Sequence, residues 1–100
     1  MIDHKVDFSA LAWEVPMKGV RSKAVKHGGK KLRLVEYTPA METHWCEKGH
    51  ILLCLEGRLE TELADGRKFV LTPGVSYQVA DHAEPHRSST AIGARLFIVD

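Results

Sequence analysis

With 100 residues, 44% hydrophobic and 27% charged, the chain has the composition of one globular domain and too little length for two independent cores. No run approaches the roughly 18 apolar residues of a membrane span, and Met1 to Asp7 lacks an apolar signal segment. Neither a membrane partner nor secretion is indicated, and a cytoplasmic location is expected.

Asp3 to Pro16 has little periodicity and reads as an arm, ending at about residue 18, with a short helix around Ser9 to Trp13. Val20 to Lys26 and Lys30 to Tyr37 read as two strands joined by a turn at His27-Gly28-Gly29, with Leu32, Leu34 and Glu36 alternating with Arg33, Val35 and Tyr37. Thr38-Pro39-Ala40 ends this hairpin, because proline supplies no ladder donor. Beyond Gly57, Arg58, Glu60 and Glu62 alternate with Leu59, Thr61 and Leu63, so one face is wet and one buried. Asp65-Gly66 is the strongest hairpin signal in the chain and returns it through Lys68 to Leu71, letting Leu63 and Phe69 share the inner face. Pro73-Gly74 turns the chain again. Tyr77 to Ala80 reads as a strand, Asp81 to Pro85 as a loop and Ala91 to Val99 as a closing strand. Short strands at regular spacing, with no helical run of useful length, predict an all-β sandwich or barrel.

Metal-ligand side chains concentrate in His44-Trp45-Cys46-Glu47-Lys48-Gly49-His50. If this stretch is a strand, His44 and Cys46 project to one face and Trp45 to the other. Gly49 allows a sharp turn, after which His50 opens the run Ile51-Leu52-Leu53-Cys54-Leu55, expected to pair beside the first strand. A fourth ligand must come from elsewhere, and His86 is the candidate, with His82 as its rival; Pro85 favours His86. Without metal, three buried polar groups within seven residues would need other partners. His4 and His27 fall on an arm and a turn. Glu42, Glu47 and Glu84 flank the ligands and read as exposed loop carboxylates rather than as a general base or as partners orienting an imidazole. Cys54 reads as a small core hydrophobe, and in this compartment a thiol beside histidines reads as a ligand rather than half of a disulfide. Tyr77 has either a bound ligand or a backbone group as its partner.

The stretch from His44 to Gly57 resembles the first cupin motif, with Cys46 in place of its second histidine, His50 in place of its glutamate and Gly57 on its glycine. Gly74, Ala80, Asp81, His82 and His86 resemble the second motif more loosely. Together with Trp13, Lys23, Arg33, Glu36 and the closing Leu96-Phe97-Ile98-Val99, the pattern is similar to that of small single-domain cupins carrying a His-Trp-Cys element, over roughly residues 13 to 99. The resemblance implies a cupin-type β-barrel, a double-stranded β-helix or jelly roll over about residues 19–99, with metal ligands inside; it implies no reaction, since one fold hosts many. The ligand set is then His44, Cys46, His50 and His86. Thiolate with imidazole suits zinc first, with nickel or iron as alternatives.

Charge is uneven: Lys18 to Arg33 holds seven basic and no acidic residues, whereas Glu36 to Ala64 is mostly acidic. Lacking interleaved aromatics, the basic hairpin reads as a solvated face rather than a nucleic-acid site. The run from Ile51 to Leu55 is apolar on both faces, so something covers its outer side, and a homodimer is expected. The functional expectation is a metal-dependent enzyme acting on a small polar or anionic metabolite held in the barrel. Its alternatives are a non-catalytic metal-bearing binding or sensing module and a protein in which Cys46 oxidation releases the metal.

Overall fold

The hairpin expected between Val20 and Tyr37 forms as β2 (Val20–His27) and β3 (Lys30–Tyr37). Gly28 and Gly29 close it with φ of 57° and 78°, the left-handed pair that a two-residue hairpin turn requires. The structure, a computed structural model, describes residues 4–100. The other strands are β1 (Glu14–Met17), β4 (His50–Gly57), β5 (Leu59–Leu63), β6 (Lys68–Leu71), β7 (Ser76–Val79), β8 (His86–Ser89) and β9 (Ala94–Val99). A 3₁₀ turn over Phe8–Ala10 is the only helix among the described residues.

The strands form two antiparallel sheets, one of six in the order β1-β2-β3-β9-β4-β7 and one of three in the order β6-β5-β8. Their facing sides enclose a core of Val35, Leu52, Cys54, Leu59, Leu71, Leu96 and Ile98. This is the predicted all-β barrel, although its two sheets are not joined into a closed cylinder. Leu63 and Phe69 do share a face with Thr61 and Leu71, but Phe69, on the edge strand β6, stays 38% exposed, its ring tilted against Tyr77 with centres 5.8 Å apart. Cys54 lies in the core, as expected of a small hydrophobe.

Five local expectations change. The sheet begins earlier than residue 19, because β1 pairs with β2. The short helix expected around Ser9 to Trp13 forms as a single turn that starts one residue earlier and ends at Ala10, since Asp7 accepts from the Ser9 N–H and caps it at Phe8. The segment around His44 is not a strand; apart from a single bridge at Cys46 it is irregular, and β4 pairs with β7 and β9 instead. His86 opens a short strand, β8, that its polar sequence concealed. Finally, the basic hairpin is not uniformly solvated. Lys23 is buried, with its ammonium on the Phe8 carbonyl at 2.9 Å and 4.5 Å from the Trp13 ring centre, and Arg33 points inward.

On the outer face of the large sheet, Arg21, Glu36, Arg95 and Glu56 stand directly opposite one another across β2, β3, β9 and β4. Their charges alternate, and Glu36 receives Arg21 Nε at 2.6 Å and Arg95 Nη2 at 2.6 Å. Acidic and basic stretches therefore meet within one chain. The hydrogen bond from Arg21, with help from Arg95, holds the Glu36 carboxyl below its usual 4.5 against the opposing effect of burial. A depressed carboxylate contributes stability that is present above its unfolded pKa and is lost as pH falls through the folded one. Glu36→Gln is expected to cost about 1 kcal/mol near neutrality, and to reduce the acid-induced loss of stability below about pH 4.5, measured by urea unfolding across pH.

Candidate functional site

Gly49 is required here by close approach rather than by a turn: a Cβ on it would overlap the backbone of Ala80 and Asp81. The Gly49 N–H donates to Asp81 Oδ1 at 2.6 Å, and the His82 N–H donates to the Glu47 carbonyl at 2.8 Å. Four residues from His82, Cys46 and His86 exchange both backbone hydrogen bonds, at 2.8 and 2.9 Å. The loop carrying His44 and Cys46 is thereby fastened to the loop that leads into β8.

His44, Cys46, His50 and His86 all line one cavity of about 330 Å³ between the sheets. His82 does not; it is exposed, with φ of 59°. The His50 and His86 rings meet edge to face with centres 5.0 Å apart. His86 is 3% exposed, and its Nδ1 faces the Glu84 carbonyl at 3.1 Å. A carbonyl can only accept, so in the neutral ring Nδ1 carries the proton and Nε2 holds the lone pair. That Nε2 is buried and has no partner.

Burial first, and repulsion from His86 second, lower the His50 pKa from 6.5 to about 4, so its imidazole is neutral near pH 7. Cys46 Sγ accepts from the Lys48 N–H at 3.4 Å. His44 is exposed on the cavity's rim. The four side chains surround a common space without converging: among the described residues no group of three His, Cys, Asp or Glu is placed to hold one ion. The donor chemistry nevertheless fits a transition metal. Two imidazoles adjoin a thiol, and that of His86, hydrogen-bonded through Nδ1 to a carbonyl, is oriented as metal-ligating histidines are.

Sequence reasoning missed the neighbouring wall. Arg33 Nη2 donates to Asp100 Oδ2 at 2.8 Å, and the Asp100 side chain is 2% exposed. Tyr37 lines the same cavity, and burial pushes its phenol above the ordinary value, an effect that Arg33 partly opposes. The alternation along β3 was legible, but which of its faces turned inward was not. Of the flanking acids, Glu42 is exposed on the cavity wall and Glu84 pairs with Arg67 outside it. Tyr77 packs beside His86, its ring centre 6.1 Å away.

No protein-family model matches the sequence, and no curated protein matches it. Solved structures do. An RmlC-like cupin from Shewanella frigidimarina superposes with a TM-score of 0.81 at 19% identity, over 98% of this chain and 89% of that one. Ectoine synthase from P. lautus gives 0.72 at 23%, over 85% of this chain and 65% of its own. Fe(II)-HppE with an alternative substrate gives 0.75 at 15%, over 95% of this chain and 58% of its own. The chain thus spans less than two thirds of either of those two enzymes. The protein has the cupin fold. Among the described residues no helix is long and apolar enough to cross a membrane.

Since the folded pKa of His50 is depressed, its contribution to stability is intact above 6.5 and is lost as pH falls toward about 4. In metal-free protein the His50 ring is expected to stay neutral at pH 5.5, followed by ¹⁵N–¹H correlation of the imidazoles. His50→Gln should flatten the stability profile across the same window.

Proposed function

We propose that this protein is a metal-binding small cupin whose barrel holds one transition metal ion through His50, His86 and Cys46, with His44 closing the shell from the rim. The partnerless Nε2 of His86 carries this reading: a buried lone pair with no donor costs roughly 1–3 kcal/mol, and an ion removes that cost. Thiolate with imidazole favours zinc, with nickel or iron next. Fe(II)-HppE, of the same fold, contains iron.

We further read the site as that of a metal-dependent enzyme acting on a small polar or anionic metabolite. The exposure of His44 favours this over a closed structural site, because a ligand held at the rim leaves room for an exchangeable position. When bound, the metal would polarise an oxygen of the ligand as a Lewis acid. The chain's own residues do the remainder: the Glu84 carbonyl orients the His86 ring, the sheet interior keeps His50 neutral, and the Cys46–His86 bridge fixes the thiol beside them. A non-catalytic binding or sensing module is the alternative, and a coordinatively saturated tetrahedral site would establish it.

Natively purified protein is expected to carry roughly one equivalent of metal. His86→Ala should lower affinity by at least about tenfold, since losing even an outer partner of a ligand costs that much. Cys46 should alkylate slowly until a chelator is added, while the buried Cys54 reacts slowly throughout. Equal Cys46 labelling with and without chelator, in protein shown to contain metal, would remove the thiol from the ligand set.

The outer face of β4 supports the homodimer reading. Ile51, Leu53 and Leu55 are 55%, 36% and 39% exposed, while Phe8 meets the neighbouring Phe97 edge-on at 6.1 Å. Light scattering should give twice the monomer mass, and Leu53→Glu should halve it. A monomer at high micromolar concentration would end this reading.

A further inference from the structure

At one end of the cavity, β3 and β9 bring together more positive charge than they neutralise. Lys31 and Asp100 face each other and exchange backbone hydrogen bonds of 2.6 and 2.9 Å. Arg33, two residues along, donates to Asp100 Oδ2 at 2.8 Å, and Lys48 Nζ lies 3.8 Å from that same oxygen. The Asp100 side-chain carboxylate thus meets two cations, Arg33 and Lys48, with Lys31 a third basic residue in the lining of the same cavity. Asp100 Oδ1 and Arg33 Nε are both buried, and both lack a partner. Ile51 pairs with Val99, so the ladder places His50 beside Asp100.

The two orphaned atoms have opposite demands. A simple anion would serve the cations and leave Asp100 Oδ1 facing like charge. A simple cation would serve Asp100 and meet the positive charges of Arg33 and Lys48. A molecule carrying an anionic acceptor with a hydrogen-bond donor on the adjacent carbon serves both. The cavity of about 330 Å³ holds the equivalent of roughly ten waters at liquid density, enough for a short acid.

We propose that this end of the cavity binds the carboxylate of a small 2-hydroxy or 2-amino acid. The carboxylate lies against Arg33, Lys31 and Lys48, the neighbouring hydroxyl or ammonium donates to Asp100 Oδ1, and the remainder of the molecule extends toward His50 and His86. The assignment deepens the reading of the cavity as a metabolite site and names its substrate class.

The test is an amide-shift titration of chelator-treated, metal-free protein with lactate, alanine, propionate and inorganic phosphate, each to about 10 mM, within the range expected of millimolar ligands. Lactate or alanine should bind at least fivefold more tightly than propionate, which lacks the donor, and whichever of the two is stronger identifies it. Arg33→Gln should weaken that binding at least fivefold. Lys48→Met, at a side chain 62% exposed and thus safe for folding, should weaken it as well. Asp100→Asn should erase the preference over propionate. Equal binding of propionate, binding of phosphate alone, unchanged affinity in Lys48→Met, or no shifts with any of the four would overturn the assignment. Because no metal is present, a failure to load metal and a failure to bind the acid are read separately.

Discussion

Two backbone hydrogen bonds between Cys46 and His86 hold the site together. They join the contacts that Gly49 and Glu47 make with the loop before β8, and those of Lys48 with Asp100 and of Trp45 with Arg87, in tying the loop after β3 to the rest of the cavity. The bridge lets an irregular segment behave as a strand for one residue, which is all that is needed to set a thiol beside an imidazole. It also explains why a polar run, His86–Ser89, is a strand at all: its hydrogen bonds to β5 and to Cys46 supply what its side chains do not.

His86 is consequently the most constrained residue of the cavity. Its backbone is paired on the Cys46 side, its Nδ1 is engaged by Glu84, and its ring lies against those of His50 and Tyr77. Only Nε2 is left over. A group fixed in every respect but one is preorganised for whatever meets that one atom, and the neutral His50 adds no charge that would repel a cation. The Arg33–Asp100 end has the contrary character, charged and partly self-compensated. The cavity therefore sets nitrogen and sulfur donors directly beside an ionic cluster, His50 lying next to Asp100 across the ladder.

Much of this was legible in the chain. Gly28-Gly29 and Asp65-Gly66 announced their hairpins because left-handed turns leave a local signature, and Leu59-Thr61-Leu63 announced its buried face by alternation. The gathering of His44, Cys46, His50 and His86 around one space was also readable, although by a different route: His44 and Cys46 share the cavity through loop geometry, not through the period of a strand. The inward turn of Arg33 and Asp100 was not readable. An alternating strand declares two faces but does not say which is inside when both carry mixed polarity, and β3 offers Leu32 and Leu34 on one side and Val35 and Tyr37 on the other. Tertiary packing decided in favour of the face with the arginine. Lys23 illustrates the same gap, since its burial depends on Phe8 and Trp13 folding back over β2.

The row of alternating charges from Arg21 to Glu56 has a consequence for the opposite side of the sheet. Side chains on a strand alternate faces with period two, so a one-residue slip would turn Glu36 inward and Arg33 outward. Slipping β3 by two residues against β9 would keep the faces but set Glu36 opposite Gly93 or Phe97 instead of Arg95. The exterior ion row thus serves as an index for the interior, fixing where Lys31 and Arg33 come to rest against Asp100. Substitutions on a surface that touches no ligand can in this way misalign the lining of the cavity, and the outside of the barrel becomes a control on what the inside can recognise.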